Sequence, residues 1–187
     1  MASYFSLRST QVKSELPKLE RAVSNRLGCL MVVVHLSQFV EGRTRLNLLA
    51  FLSSKRLESL AIDDFYQDWT AGKFGPVSKM LAADVERNLG TLLGKWNVKN
   101  MAGFSVIRYG LLASGEEIAR GMMARRPDVM SSLNEVVSEH IRMPLKSFLA
   151  EVHSQYPELF VKSGLGRQAR GPPLSEGTYL DKEYDES

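Results

Sequence analysis

Residues 96–109, WNVKNMAGFSVIRY, contain the pattern that decides the fold we expect. Trp96 to Val98 and Phe104 to Tyr109 are rich in aromatic and β-branched residues, which favour strands. The five residues between them, 99–103, suit a hairpin loop because they include asparagine and end in glycine. The sequence therefore predicts one small β-hairpin here.

Helical patterns lie on both sides of this hairpin. Ser78 precedes a segment, 79–93, in which apolar residues recur every three or four positions, so we expect Ser78 to cap a helix there. After the hairpin, Ser114 and Glu117 have the spacing of a capping box, which predicts that a helix begins there.

Further helices are predicted towards both ends of the chain. From apolar spacing we expect an amphipathic helix over 15–27 and a mostly apolar, buried helix over 29–40. A third helix should cover 45–57, with Thr44 as its cap. Two more should cover 128–155: Pro127 opens the first, and Pro144 separates it from the second. The segment 63–70 fits a short extended or helical piece, followed by a turn at 72–76.

Helices, then a hairpin, then further helices is the element order of a winged-helix domain. We therefore expect a mainly α fold with a small β-hairpin: a winged-helix-like core with extra N- and C-terminal helices. This domain would cover residues 14–160, after a flexible arm, 1–13, and before a disordered Gly/Pro-rich tail with an acidic end, 161–187.

The predicted helices that would form a helix-turn-helix are unusually far apart. About 20 residues separate 45–57 from 79–93, whereas the motif needs a turn of three or four. Either residues 63–70 form the missing helix, or the motif is degenerate. A degenerate motif would favour protein contacts over insertion into a DNA groove.

Several short motifs resemble those of YwgA-like and Panacea (SocA-like antitoxin) domain proteins. Residues 42–52, GRTRLNLLAFL, are similar to that family's GRTRLQKLLFL helix, residues 73–78, KFGPVS, to its KYGPYS turn, residues 84–92 to its DLxxL helix, and residues 109–116 to its YRLTxxG end of the wing. Leu48 and Val77 depart from it, standing where the family has Lys and Tyr. The resemblance covers about residues 29–120 and implies a winged-helix fold linked to DNA-binding or toxin–antitoxin proteins.

DNA binding, with a regulatory role, is the function we expect. Arg and Asn side chains can read base edges, and Lys and Arg can neutralise phosphates. Asp84 and Glu86, on the helix predicted to read DNA, would repel phosphate, and cations on an outer helix face are usually only solvated. The candidate DNA-binding residues are Arg43, Arg45, Lys73, Lys79, Arg87, Asn88, Thr91, Lys95, Lys99 and Arg108.

The alternative is a module that acts through protein contacts. Helices 15–27 and 128–155 could bury their apolar faces in a homodimer or against a protein partner, or could complete the chain's own core. The formal charge of +3 divides into −3 over residues 178–187 and +6 over the rest. The acidic end could occlude a basic surface, fold onto a partner, or only keep the protein in solution.

Catalysis and membrane insertion are not expected. The three histidines, His35, His140 and His153, have no metal-ligand spacing such as HExxH, and Cys29 lies among apolar residues. We therefore predict no catalytic residues, no metal and no cofactor. The longest apolar run, 27–36, is half of what a spanning helix needs, and the first residues turn polar too soon for a secretory signal, so we expect a cytoplasmic protein.

Overall fold

The structure is a computed structural model that describes residues 25–62, 65–99 and 103–160. These residues are mostly helical, with two small antiparallel sheets, as predicted in outline. The helices are α1 (Asn25–Ser37), α2 (Arg43–Glu58), α3 (Lys79–Asn88), α4 (Ala113–Arg125), α5 (Pro127–His140) and α6 (Leu145–Gln155). The strands are β1 (Val40–Glu41), β2 (Trp69–Gly72), β3 (Gly75–Ser78), β4 (Leu93–Lys99) and β5 (Ser105–Leu111), and a 3-10 turn, Pro157–Leu159, follows α6. None of the helices in this part of the chain has both the length and the apolar character to span a membrane.

Helix α1 lies at the centre of the core because its sequence is apolar on most sides. Each residue from Cys29 to Val34 is at most 1% exposed, and α4 and α5 pack against the helix. The contact with α4 is close at Gly28, where an added Cβ would lie 3.4 Å from the sulfur of Met122. The helix ends at Ser37 and not at residue 40, because Gln38 takes a left-handed conformation and the chain then enters β1.

Helix α2 begins immediately after Gly42, so the prediction that Thr44 caps it is wrong. Gly42 occupies the N-cap position with a φ of +79°, a conformation that glycine adopts without strain. The Gly42 N–H donates to the carbonyl of Ile107 at 2.7 Å, which joins the start of the helix to β5. Thr44 therefore falls within the first helical turn.

A hairpin that the sequence did not predict, β2–β3, separates α2 from α3. Trp69 pairs with Ser78 and Gly72 with Gly75, so Lys73 and Phe74 form the turn. The extended alternative for this segment is therefore right for β2, and residues 65–78 contain no helix. Helices α2 and α3 do not form a helix-turn-helix with a short turn, and the winged-helix core stays a prediction.

Helix α3 has the predicted cap but is shorter than predicted. The Leu81 N–H donates to Ser78 Oγ at 2.9 Å, which confirms Ser78 as the N-cap. The helix ends at Asn88 and not at residue 93, because Leu89 is extended and Gly90 turns the chain with a φ of +80°. After this turn, β4 begins at the buried Leu93.

The predicted hairpin, β4–β5, is present and is longer than predicted. Its register pairs Lys95 with Tyr109 and Lys99 with Ser105, and residues 100–102 of the loop lie outside the described residues. The two-residue strand β1 adds to β5, so the sheet has the order β1-β5-β4. Strand β4 is therefore an edge of this sheet.

The capping box predicted for α4 does not form. The helix begins at Ala113, with Leu112 at the N-cap and no side-chain cap, so Ser114 lies inside the first turn. The helix begins this early because the Leu112 N–H still donates to Leu92, extending the pairing of β5 up to the helix. Glu116 instead contacts His35 on α1, with its Oε2 2.7 Å from Nδ1.

The last two helices begin as predicted, with Pro127 in the first turn of α5 and Pro144 at the N-cap of α6. Their apolar faces are buried within the chain itself, since α5 packs on α1 and α2, and α6 packs on α2. These faces therefore complete the chain's own core, which was one of the two alternatives for them. The arm 1–13, the predicted helix 15–27 up to residue 24, and the tail 161–187 lie outside the described residues.

Candidate nucleic-acid interface

The β4–β5 hairpin is the most uniformly basic element of the candidate site. Residues 93–111 include Lys95, Lys99 and Arg108 and no acidic residue, giving a formal charge of +3. The two lysines are four residues apart on one strand, so they share a face of the sheet, and both are exposed. The hairpin thus places two solvated cations in one row.

Trp96 covers the opposite face of the same strand. An added Cβ at Gly94 would lie 2.1 Å from the far end of the indole, and one at Gly110 would lie 3.1 Å from it. Gly94 and Gly110 pair across the two strands, so the ring lies over a patch of bare backbone. Trp96 is nevertheless 45% exposed, which makes it a large aromatic surface open to solvent.

Arg108 lies beside Trp96 in a row that crosses the sheet. The register places Glu41, Arg108 and Trp96 opposite one another on β1, β5 and β4. Arg108 Nη2 is 2.6 Å from Glu41 Oε1, and its guanidinium lies 3.9 Å from the ring centre of Phe39. This cation is already engaged by a carboxylate and an aromatic ring, so it is a weaker phosphate ligand than the two lysines.

Helix α3, which was predicted to read DNA, offers fewer polar groups than expected. Arg87 is exposed, but the Asn88 amide donates to the Asp84 carbonyl at 2.7 Å, and the Thr91 hydroxyl donates to the Asn88 carbonyl at 3.1 Å. Both side chains therefore stabilise the end of the helix. Of the three, Arg87 and Thr91 are exposed, but the Thr91 hydroxyl is engaged by the backbone.

From its place on the polar side of the helix, we expected Asp84 to face solvent. In the structure it does not. Its carboxylate accepts from Arg26 Nε at 2.9 Å and from the Tyr66 hydroxyl at 3.1 Å. Burial, followed by the charge of Asp84, raises the pKa of Tyr66 well above its usual value. The hydrogen bond to Asp84 likewise raises the pKa of Arg26. This buried cluster fixes α3 against α1 and the start of β2, so Asp84 does not repel an approaching phosphate from the surface.

The two arginines at the start of α2 are held by the protein. Arg45 Nη1 donates to the carbonyls of His140, Ile141 and Met143 at 3.3, 3.2 and 2.8 Å, which satisfies the C-terminal end of α5. Burial lowers the pKa of Arg45 from its usual value. Arg43 Nη1 lies 3.9 Å from Glu86 Oε1, which also reduces the repulsion that Glu86 would exert on phosphate.

The remaining candidates, Lys73 and Lys79, are exposed at two different places. Lys73 lies in the turn of β2–β3, with its ammonium 5.3 Å from the centre of the Phe74 ring, and Lys79 opens α3. The structure thus brings Lys95 and Lys99 together on one hairpin face and draws Arg45 into the protein.

Trp96 was missed as a site residue. The signal for it is the pair of glycines, Gly94 and Gly110, which a hairpin register would have placed beneath the ring.

The side chains considered for catalysis lie in surroundings that suit a structural role. Cys29 is buried in α1, and His35 is half-buried against Glu116. Among the described residues, one group has the composition and spacing to hold a metal ion: Glu139 and His140 on α5 and Glu151 on α6. Spacing along the sequence could not predict it, because Glu151 belongs to a different helix.

Comparison of this chain with models of protein families, with curated proteins and with solved structures finds no match. The resemblance to Panacea-domain proteins therefore stays a prediction that depends on the short motifs alone.

Proposed function

We propose that this protein binds double-stranded DNA through the β4–β5 hairpin. The observation that carries the proposal is the exposure of Lys95 and Lys99 on one face of a hairpin that has no acidic residue, with Trp96 exposed on the other face. Lysines on such a strand pair can contact phosphates across a groove, releasing counterions from the DNA. Arg87, exposed on α3, is a third candidate contact.

A second candidate function, binding of another protein, is supported by the apolar part of the same hairpin. Trp96 is 45% exposed and Phe39 is 40% exposed, and Arg108 lies on the Phe39 ring. Tryptophan and arginine are enriched among the residues that dominate protein interfaces. Strand β4 is also an edge, and an edge strand can pair with a strand of another chain.

Fluorescence anisotropy with a labelled duplex, measured over a series of salt concentrations, distinguishes the two functions. We expect the wild-type protein to bind with a steep dependence of log Kd on log salt concentration. The double variant Lys95→Ala/Lys99→Ala should reduce that slope by about 2, since each phosphate contact contributes about 0.9.

The matched control is Arg142→Ala/Lys146→Ala, which removes the same charge from exposed positions outside the hairpin. It should leave the slope nearly unchanged. Equal losses in both double variants would show that net charge, and not the hairpin, governs binding. If no duplex binds even at low salt, the DNA-binding proposal is wrong and the protein-binding candidate is favoured.

A further inference from the structure

Three potential metal ligands meet where α5 ends and α6 passes it. One ligand atom from each of Glu139, His140 and Glu151 lies within 4.8 Å of the other two. His140 is the last residue of α5, whose C-terminal carbonyls already bind the Arg45 guanidinium, so the three side chains and not the helix end would have to hold an ion. The hairpin proposed to bind DNA contributes no residue to this group.

His140 is held in one orientation and one tautomer. Its side chain is only 6% exposed, and its ring lies 5.0 Å from the ring of Phe148. Nδ1 is 2.8 Å from the Val136 carbonyl, which can only accept, so Nδ1 carries a proton. A ring nitrogen that donates to a backbone carbonyl is the usual means by which proteins orient a metal-binding histidine.

The other ring nitrogen faces a carboxylate. In the neutral imidazole, Nε2 carries a lone pair and lies 3.2 Å from Glu151 Oε1, which is also an acceptor. A metal ion between the two atoms would accept both lone pairs. A nitrogen and an oxygen ligand at about 2.0–2.2 Å from a tetrahedral zinc ion lie about 3.4 Å apart, so the observed separation suits zinc.

We propose that His140 Nε2, a Glu151 carboxylate oxygen and a Glu139 carboxylate oxygen bind one Zn²⁺ ion, leaving a fourth position for water. The two carboxylates match the charge of the ion, and three protein ligands with one open position is a common zinc arrangement. Glu139 is exposed, so its carboxylate can rotate inward to complete the set. Gln155 Nε2, 3.3 Å from Glu151 Oε1, provides an outer hydrogen bond to a ligand. The ion would fasten α6 to the end of α5.

Calorimetric titration of ZnCl₂ into the full chain, after dialysis against EDTA and removal of the chelator, measures the site directly. We expect one equivalent to bind and the Tm to rise by several degrees, because the ion binds the folded state. Co²⁺ should give the visible absorption bands of a tetrahedral site. Glu151→Gln and His140→Gln should each weaken Zn²⁺ binding roughly 100-fold or more, since even outer-shell changes cost about 10–100-fold.

Glu158→Gln and His153→Gln are the matched controls, because each makes the same chemical change at an exposed position nearby. They should keep full Zn²⁺ affinity. If His140→Gln fails to fold by circular dichroism, the exposed Glu139→Gln variant tests the site, with a smaller but clear loss. Absence of one-to-one binding, or binding that survives Glu151→Gln, would overturn the proposal and leave a protonated His140 paired with Glu151. Neither result bears on DNA binding, which the Arg142/Lys146 and Lys95/Lys99 variants test separately.

Discussion

The two β-hairpins each contain one of the protein's two tryptophans, in opposite environments. Trp69 of β2 donates its indole N–H to the Tyr66 carbonyl at 2.9 Å and to Ser54 Oγ at 3.1 Å, and packs edge-on against Phe51 at 5.3 Å. Trp96 of β4 is 45% exposed and lies over two glycines.

This difference separates a hairpin that packs on the core from one that keeps an aromatic ring open to solvent. Trp69 is half-buried against the core, and its N–H donates to residues inside the protein, as the N–H of a tryptophan in contact with a core usually does. Trp96 instead keeps a large part of its ring in contact with water. Lys95 and Lys99, on the opposite face of the same strand, are also exposed, and they are the basis of the DNA-binding proposal.

The largest expected effect is the loss of stability in Trp69→Ala, and Trp96→Ala is its control. Removing Trp69 leaves a gap beside Phe51 and takes one donor from the Tyr66 carbonyl, which keeps the Ser54 hydroxyl as its other donor. We therefore expect a loss of about 2–3 kcal/mol in the free energy of unfolding, mostly from lost packing. Trp96→Ala should cost less than about 1 kcal/mol, because its ring covers only backbone. Urea denaturation measures both. Similar losses in the two variants would remove the distinction between the hairpins.

The sequence predicted one hairpin and missed the other for a physical reason. Residues 96–109 contain β-branched and aromatic runs around a polar loop, so local preferences alone indicate strands. Strand β2 is four residues long and includes Ala71 and Gly72, which are poor strand formers. It is held by Trp69 contacts to the core, and such tertiary contacts have no local signature.

The residues of the candidate site likewise fall into those whose surroundings the sequence could predict and those whose surroundings it could not. The exposure of Lys95 and Lys99 follows from their place on a short hairpin, and the sequence was sufficient to predict it. The engagement of Arg45 could not be predicted, because the carbonyls it caps lie 95 to 98 residues further along the chain. The Zn²⁺ ligands were missed likewise, since they come together only when α6 packs beside α5.

A smaller effect is expected from Tyr66→Phe, which tests the anchor of the core hairpin. Tyr66 is fully buried, precedes β2 and donates to Asp84, so losing the hydroxyl should cost about 1–2 kcal/mol at neutral pH. The folded protein raises the pKa of Tyr66, so the folded state favours the protonated phenol. The stability that this hydroxyl contributes is therefore complete below about pH 10, the usual tyrosine pKa, and falls above it by about 1.4 kcal/mol per pH unit.

Lysines also titrate in that range, so the relevant quantity is the difference in stability between wild type and Tyr66→Phe. We expect this difference to be constant from pH 7 to 9 and to shrink towards zero near pH 11, as measured by urea denaturation at each pH. A difference that stays constant to pH 11 would show that the Tyr66 hydroxyl ionises as easily in the folded state as in the unfolded one.

The smallest expected effect is that of Gly94→Ala, which tests whether the flat position of Trp96 matters. The new methyl group would lie 2.1 Å from the far end of the indole, so the ring must swing away from the sheet. The ring is 45% exposed and can move towards solvent, so the loss of stability should stay below about 1 kcal/mol. Tryptophan emission should shift to longer wavelength as the ring becomes more hydrated.

Gly110→Ala is the matched control, because its methyl group would be 3.1 Å from the ring and should displace it less. The double variant Gly94→Ala/Trp96→Ala should be no less stable than Trp96→Ala alone, since the clash is then absent. Additive losses would mean that Gly94 is required by the backbone and not by the position of the Trp96 ring.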